Sequence, residues 1–219
     1  MKFATAIDKR KRREGLTWRI LFCAAFFTLH SSLFISCSEE EDVEADEFSN
    51  WQQRNDAFWL TLEDSLKSGS EWKKIKHFTK EQTSEGAATD YIYVKVLESG
   101  EGSNVSPFYT DTVTTSYALR LIPTVSYPQG YLVQKTYYGN TFNWETTGTF
   151  KTPLNSSSLA VSGFITPLLH MHRGDRWRVY IPYVLAYNSQ EQSSIPAYSI
   201  LVYDLALIDF THPSAEALR

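Results

Sequence analysis

Apolar and polar residues alternate with a period of two in several stretches of this chain, and that alternation predicts strands. Tyr91 to Leu97 reads Y-I-Y-V-K-V-L. From Asp111 to Leu121, Val113, Thr115, Tyr117, Leu119 and Leu121 fall on one face. Arg176 to Ile181 alternates Trp, Val and Ile with Arg and Tyr, and Ile200 to Ile208 forms a last strand behind a loop carrying Ile195-Pro196. Gly163 to His172 is a short apolar segment that stops at Arg173-Gly174, the signature of a short helix. Pro167 belongs in or beside its first turn, because it cannot donate to an interior helical hydrogen bond.

The pattern changes period toward the N-terminus. From Glu47 to Lys67, Phe48, Trp51, Phe58, Leu62 and Leu66 collect on one helical face, with Asp and Glu opposite. Trp72, Ile75 and Phe78 continue that spacing after Ser68-Gly69-Ser70, which predicts a helical hairpin or kinked pair across 47–82. The stripe reads as a face packed on the domain behind it, with a dimerising helix as the other reading. Thr83 to Asp90 is a Gly/Ala/Thr/Ser connector and marks a domain boundary. Residues 123–160 show no clear periodicity.

The first residues read as processing signals. Met1 to Arg19 is basic, and Ile20 to Ser36 is almost wholly apolar, about the length of a signal-peptide core. The run ends Leu33-Phe34-Ile35-Ser36-Cys37 and resembles a lipobox, in which Cys37 becomes the lipidated N-terminus; a transmembrane anchor is the other reading. Residues 1–36 are expected as a lipoprotein signal peptide and 37–46 as an acidic tether, Ser38-Glu39-Glu40-Glu41-Asp42 resembling the export signal of surface-displayed lipoproteins. These features place the protein in a bacterial envelope, anchored to the outer membrane through lipid on Cys37, on either its periplasmic or its surface side. Residues 1–36 hold seven of the 21 Lys/Arg and two of the 25 Asp/Glu, leaving 14 basic against 23 acidic residues. Such a surface argues against nucleic acid as a partner. Only Cys37 remains of the two cysteines, which excludes an intramolecular disulfide and a cysteine metal site.

The C-terminal order of helix, strand, aromatic loop, Ile-Pro and strand resembles FKBP-type peptidyl-prolyl isomerases. Val161, Gly163, Phe164, Met171, Gly174, Ile181-Pro182, Ala186-Tyr187, Ile195-Pro196, Leu201 and Tyr203 match that family's ordered pattern. The Tyr91 strand, the Gly100-Glu101-Gly102 turn and Pro107 match its opening. The resemblance implies an α+β domain over residues 90–211, with a curved antiparallel sheet wrapped over one short helix and a helical N-terminal segment in front. Tyr117 falls on the family's pocket tyrosine and Leu119 on a glycine of the same strand. The resemblance thins over 123–160, where the pocket phenylalanine becomes Val133 and the pocket aspartate Gln134. Phe150 is the candidate for the flap aromatic, with Leu154 as the other choice.

Prolyl isomerisation requires no nucleophile, metal or cofactor, only an apolar cup and a few placed donors. The resemblance implies that Tyr117, Val133, Gln134, Phe150, Val161, Phe164, Tyr187, Ile195 and Tyr203 surround that cup. The Val161 N–H would anchor a substrate carbonyl, and the Tyr187 hydroxyl a neighbouring one. Asn188 stands where members carry glycine and shares its access to left-handed backbone. Gln134 brings no charge to polarise the pocket, so weak activity is expected. The implied function is isomerisation of proline-containing polypeptides outside the cytoplasm, with a non-catalytic binding module or chaperone as the alternative; the oligomeric state stays open. His170-Met171-His172 is not expected to bind metal, since i,i+2 histidines on a helix do not face each other. No G-x-S-x-G elbow or phosphate-cradling glycine loop occurs, which leaves hydrolase and nucleotide readings without support.

Overall fold

A computed structural model describes residues 47–101 and 104–213. The signal-peptide, Cys37 and tether expectations lie outside the described residues. Helix α1 spans Trp51–Ser65 and is followed by strands β1 (Trp72–Lys76), β2 (Tyr91–Glu98), β3 (Thr112–Arg120), β4 (Leu132–Lys135) and β5 (Phe150–Pro153). A 3-10 turn (Ser162–Phe164) leads into the four-residue helix α2 (Ile165–Leu168), and β6 (Arg176–Ile181) and β7 (Leu201–Thr211) complete the chain.

The strands form one antiparallel sheet in the order β1-β2-β6-β7-β3, with β4 and β5 both pairing β3. β5 takes the Thr112–Thr115 half of β3, and β4 takes the Ala118–Arg120 half. Alternation does the sorting: in β6, Trp177, Val179 and Ile181 are buried while Arg176, Arg178 and Tyr180 point to the other face. The inward side chains, with Ile92, Val94, Leu205 and Leu207, pack around Leu168 and Met171 of the α2 region. Pro167 sits at the third position of α2, and the chain leaves the helical segment through Gly174 at φ 85°. That sign of φ is nearly cost-free only for glycine. The short helix thus stands as the Gly163–Gly174 punctuation predicts, and the antiparallel sheet as the resemblance implies.

The region 47–82 is only half as expected. α1 is a helix, but Trp72–Lys76 is the edge strand β1, paired along β2 from Trp72↔Lys95 to Lys76↔Tyr91, so no helical hairpin forms. The connector 83–90 joins neighbouring strands of one sheet, and the described residues form one compact unit. Pairing overrides the three-residue spacing of Trp72, Ile75 and Phe78, and Lys73, Lys74 and Lys76 protect the open edge.

α1 docks on the outer face of the sheet rather than standing apart. Trp59 meets Tyr93 edge-on at 4.7 Å, and Phe58 lies 6.1 Å from Tyr180. Burying Trp51, Trp59 and Leu62 contributes roughly 1.5–3 kcal/mol for each side chain. Two polar contacts fix the docking register: Trp51 Nε1 donates to Ser199 Oγ at 2.7 Å, and the Ile200 N–H donates to buried Asn55 Oδ1 at 2.8 Å.

Candidate functional site

The inner face of the sheet opens between β3, β4, β5, the α2 turn and the loop before β7 into a cavity of about 530 Å³. Its centre is Tyr117, which alternation on β3 turns inward. The Tyr117 ring lies 5.9 Å from Phe150, 5.9 Å from Phe164 and 5.5 Å from Tyr203, all steeply inclined. Phe164 and Tyr203 close the group at 5.1 Å. Each ring comes from a different element, so the cup exists only when β3, β5, β7 and the α2 turn are assembled.

β4 contributes two consecutive residues, Val133 and Gln134, which a regular strand would send to opposite faces. The register explains the exception: Leu119 pairs with Gln134 but Arg120 with Leu132, so Val133 is an extra, bulged residue. A bulge bends the strand and re-aims its side chains. Here both line the cavity, with Gln134 exposed at its rim.

Val161 caps the 3-10 turn, its carbonyl accepting the Phe164 N–H at 3.1 Å. Its own N–H has no hydrogen-bond partner among the described residues. The opposite wall is a loop whose ends are tied by the Tyr198 N–H donating to Asn188 O at 2.7 Å. Asn188 takes φ 53°, the left-handed conformation that its place in the pattern requires. The tip closes as a tight turn, with Gln192 and Ile195 exchanging backbone bonds of 2.9 and 3.1 Å. It carries Gln192, Ser193, Ser194 and Ile195 to the cavity.

Burial raises the Tyr203 hydroxyl far above the ordinary tyrosine range, with Tyr117 and Tyr187 adding to the effect. Burial raises Tyr117 as well, followed by Tyr187. These hydroxyls stay protonated near neutral pH and can serve as donors. None of the three has a protein hydrogen-bond partner among the described residues, so their donor capacity is open to a ligand. Tyr203 also places a hydroxyl on the floor of the cup.

All nine candidate residues line this one cavity. Of the two choices for the flap position, Phe150 lines it while Leu154 is fully buried in the core. Five polar or small wall residues escaped the sequence reading: Ser158, Ala160, Gln192, Ser193 and Ser194. They lie in loops without periodicity, and only the polar run before Ile195 hinted at them. Leu119 was legible, since it shares the Tyr117 face of β3. Among the described residues no group of three or more His, Cys, Asp or Glu is arranged to hold a metal ion.

Residues 106–208 match the family model of FKBP-type peptidyl-prolyl cis-trans isomerase. The match begins after β2, so α1, β1 and β2 lie outside it. A peptidyl-prolyl cis-trans isomerase from Pseudomonas syringae pathovar tomato shares the fold at a TM-score of 0.50 and 20% identity, over 74% of this chain and 96% of that one. The three FKBP domains of wheat FKBP73 align at a TM-score of 0.47 and 21% identity, over 64% of this chain and 52% of that one. The N-terminal domain of FKBP42 from Arabidopsis thaliana aligns at 0.45 and 17%, over 63% of this chain and 99% of that one. No curated protein sequence matches the chain significantly.

Proposed function

We propose that this protein is a peptidyl-prolyl cis-trans isomerase of reduced rate, acting on extracytoplasmic polypeptides from a lipid anchor on Cys37. The observation that carries the reading is the four-ring cup beside an unpaired backbone donor at Val161. Trans and cis forms of a peptide bond are separated by a barrier of about 18–20 kcal/mol, because the planar amide must lose its resonance. A twisted amide is less dipolar than a planar one, so an apolar cup favours the twist. The Val161 N–H holds a substrate carbonyl while the prolyl ring sits over Phe164, and the Tyr187 hydroxyl, which has no protein partner among the described residues, takes the neighbouring carbonyl. No bond to the protein forms, so the chemistry calls for no nucleophile in the cup.

Gln134 argues for a slow enzyme. Rate depends on interactions that strengthen only in the twisted state, and an amide at the rim supplies no charge to that set. Binding draws on the apolar rings and on Val161, which do not depend on it. The second reading, a module that holds prolyl or apolar segments without turning them over, rests on the same Gln134 and on the polar wall from Gln192 to Ser194. Isomerisation of a prolyl peptide and titration of a macrolide-type pocket ligand separate the two. The expected result is slow turnover with sound binding, and Gln134→Asp speeding turnover at nearly constant affinity. Wild-type turnover equal to a typical family member, with Gln134→Asp inert, overturns the slow-enzyme reading. Turnover absent from both proteins, with binding intact, selects the binding module. The anchor is tested separately: Cys37→Ser should release the protein from membranes and abolish acyl labelling, and retention of both refutes it.

A further inference from the structure

The outer face of the sheet, opposite the cup, carries a second cavity of about 420 Å³. Its floor follows from strand alternation and register. Arg178 and Tyr180 point outward from β6, and their partners across β7 are Asp204 and Val202. Arg120, the last residue of β3, pairs with Val202 from the other side. Two elements outside the sheet make the walls: α1 brings Phe58, and the segment after β4 brings Tyr137 and Phe142.

That segment is held in place by a set of contacts. Phe142 meets Trp144 edge-on at 4.9 Å and Tyr137 at 6.0 Å. The Arg176 guanidinium lies 4.8 Å over the Phe142 ring while its Nη1 donates to Glu98 Oε1 at 2.6 Å. The other Glu98 oxygen accepts from Trp144 Nε1 at 2.8 Å. Glu98 thus ties the roof to the sheet, and the cavity beneath is a built feature.

The charges inside do not balance. Arg178 is forked on Asp204, Nε to Oδ1 at 2.7 Å and Nη2 to Oδ2 at 3.0 Å, and Arg176 is taken by Glu98. Arg120 has no carboxylate partner among the described residues; its Nη1 donates only to the Gly130 carbonyl, at 2.9 Å. One guanidinium is therefore uncompensated among aromatic walls, in a chain whose formal net charge is −4. A guanidinium offers planar paired donors matched to a carboxylate. Asp204 beside it disfavours a dianion, and the Phe58, Tyr137, Phe142 and Tyr180 rings suit a flat apolar body.

We propose that this outer cavity binds carboxylates joined to an aromatic group, with Arg120 as the anion fork and Phe142 closing over the ring. A free aryl-substituted acid and the C-terminal end of a polypeptide finishing in an aromatic residue both carry this carboxylate. The two share one chemistry and separate in the test. The cavity and the cup lie on opposite faces of the sheet, so their occupancies can be measured independently.

The experiment titrates the full chain with N-acetylphenylalanine, with its uncharged amide, and with a short peptide ending in phenylalanine with a free carboxylate, reading heteronuclear amide shifts. The acid or the peptide should bind saturably and the amide about tenfold more weakly or worse. Arg120→Gln should erase that preference, Arg120→Lys should restore part of it, and Tyr187→Phe in the cup should leave it alone. Tighter binding of the peptide assigns the site to chain ends, tighter binding of the free acid to small molecules, and either upholds the anion fork. If Arg120→Gln does not fold, Phe142→Ala, which alters only the roof, should weaken the acid about threefold or more. No saturable response to acid or peptide, equal binding of the amide, or wild-type binding by a folded Arg120→Gln or Phe142→Ala variant overturns the proposal.

Discussion

Gly163→Ala is the sharpest perturbation the geometry offers, because one methyl group separates a packed turn from a displaced one. Gly163 is buried in the turn that delivers Phe164 to the cup. A Cβ there would lie 2.3 Å from Ile181 Cγ2, 3.1 Å from Leu185 O and 3.3 Å from Leu185 Cβ. Ordinary carbon contacts fall at about 3.5–4.0 Å, so something must retreat by more than ~1 Å. Ile181 cannot supply that movement cheaply: it is fully buried, paired to Leu201, and β-branched with few rotamers. The turn must lift instead, taking with it the Phe164 ring and the Val161 N–H. Overpacking of this kind costs about 1–3 kcal/mol, which at about 2–4 °C per kcal/mol for a chain of this size is a fall of roughly 2–12 °C in Tm. The same movement should weaken a cup ligand. Ser162→Ala, which removes only a long 3.4 Å hydroxyl contact to Leu185 O, is the local control and should be near neutral. Thermal unfolding and calorimetric titration of both variants check the reasoning. A Gly163→Ala protein that melts within about 1 °C of wild type and binds the cup ligand equally well would refute it.

Three further outcomes follow from the same contacts. Tyr187→Phe removes a hydroxyl with no protein partner among the described residues, so the fold should keep its stability while a cup ligand loses about 0.5–1.5 kcal/mol by calorimetry; unchanged affinity would show that the hydroxyl makes no ligand contact. Asn55→Ala leaves the Ile200 N–H without its 2.8 Å acceptor and should cost about 1–3 kcal/mol in denaturant unfolding, whereas an unmoved midpoint would mean that the docking of α1 does not depend on this bond. Burial holds His77 below the ordinary histidine range, so the unfolded chain takes up its proton more readily than the folded one. Its contribution is full above about pH 6.5 and declines as pH falls through that value; the unfolding midpoint should drop between pH 7.5 and 5.5 and His77→Gln should flatten the drop, while a midpoint that holds or rises would contradict the sign.

The strands that read most clearly in the sequence are those in which one face is buried and the other is not. β6 coincides with the expected Arg176–Ile181 because Trp177, Val179 and Ile181 alternate without a break against Arg176, Arg178 and Tyr180. β4 and β5 did not read, since each has four residues and the bulge at Val133 interrupts the little alternation β4 has. β1 was misread because Trp72 and Ile75 carry helical spacing, while their environment is set by tertiary contacts that spacing cannot show. Trp72 stacks on Tyr180 at 5.8 Å, with Lys95 Nζ 5.6 Å from the centroid of the Trp72 ring. The cup was legible for a different reason. Its rings sit at fixed places in an ordered family pattern, whereas the Gln192–Ser194 wall comes from a loop whose composition carries no periodic mark.

The elements in front of the segment that matches the FKBP-type model bear on the cup itself. β7 is buried along nearly its whole length, Val202 and Ala206 on the outer side as well as Tyr203, Leu205 and Leu207 within. A strand with a solvated outer face would alternate; one covered on both sides reads as the continuous apolar run that Ile200 to Leu207 almost is. α1 and the segment around Phe142 supply that cover. The Trp51–Ser199 and Asn55–Ile200 bonds pin the start of β7. Tyr203, three residues further on, forms the cup floor against Tyr117 and Phe164. A short stretch of strand with both faces packed has little freedom to shift, so the position of the floor ring is set partly by a helix on the opposite side of the sheet. By the same route the outer cavity and the cup share β7, with Asp204 facing one and Tyr203 the other.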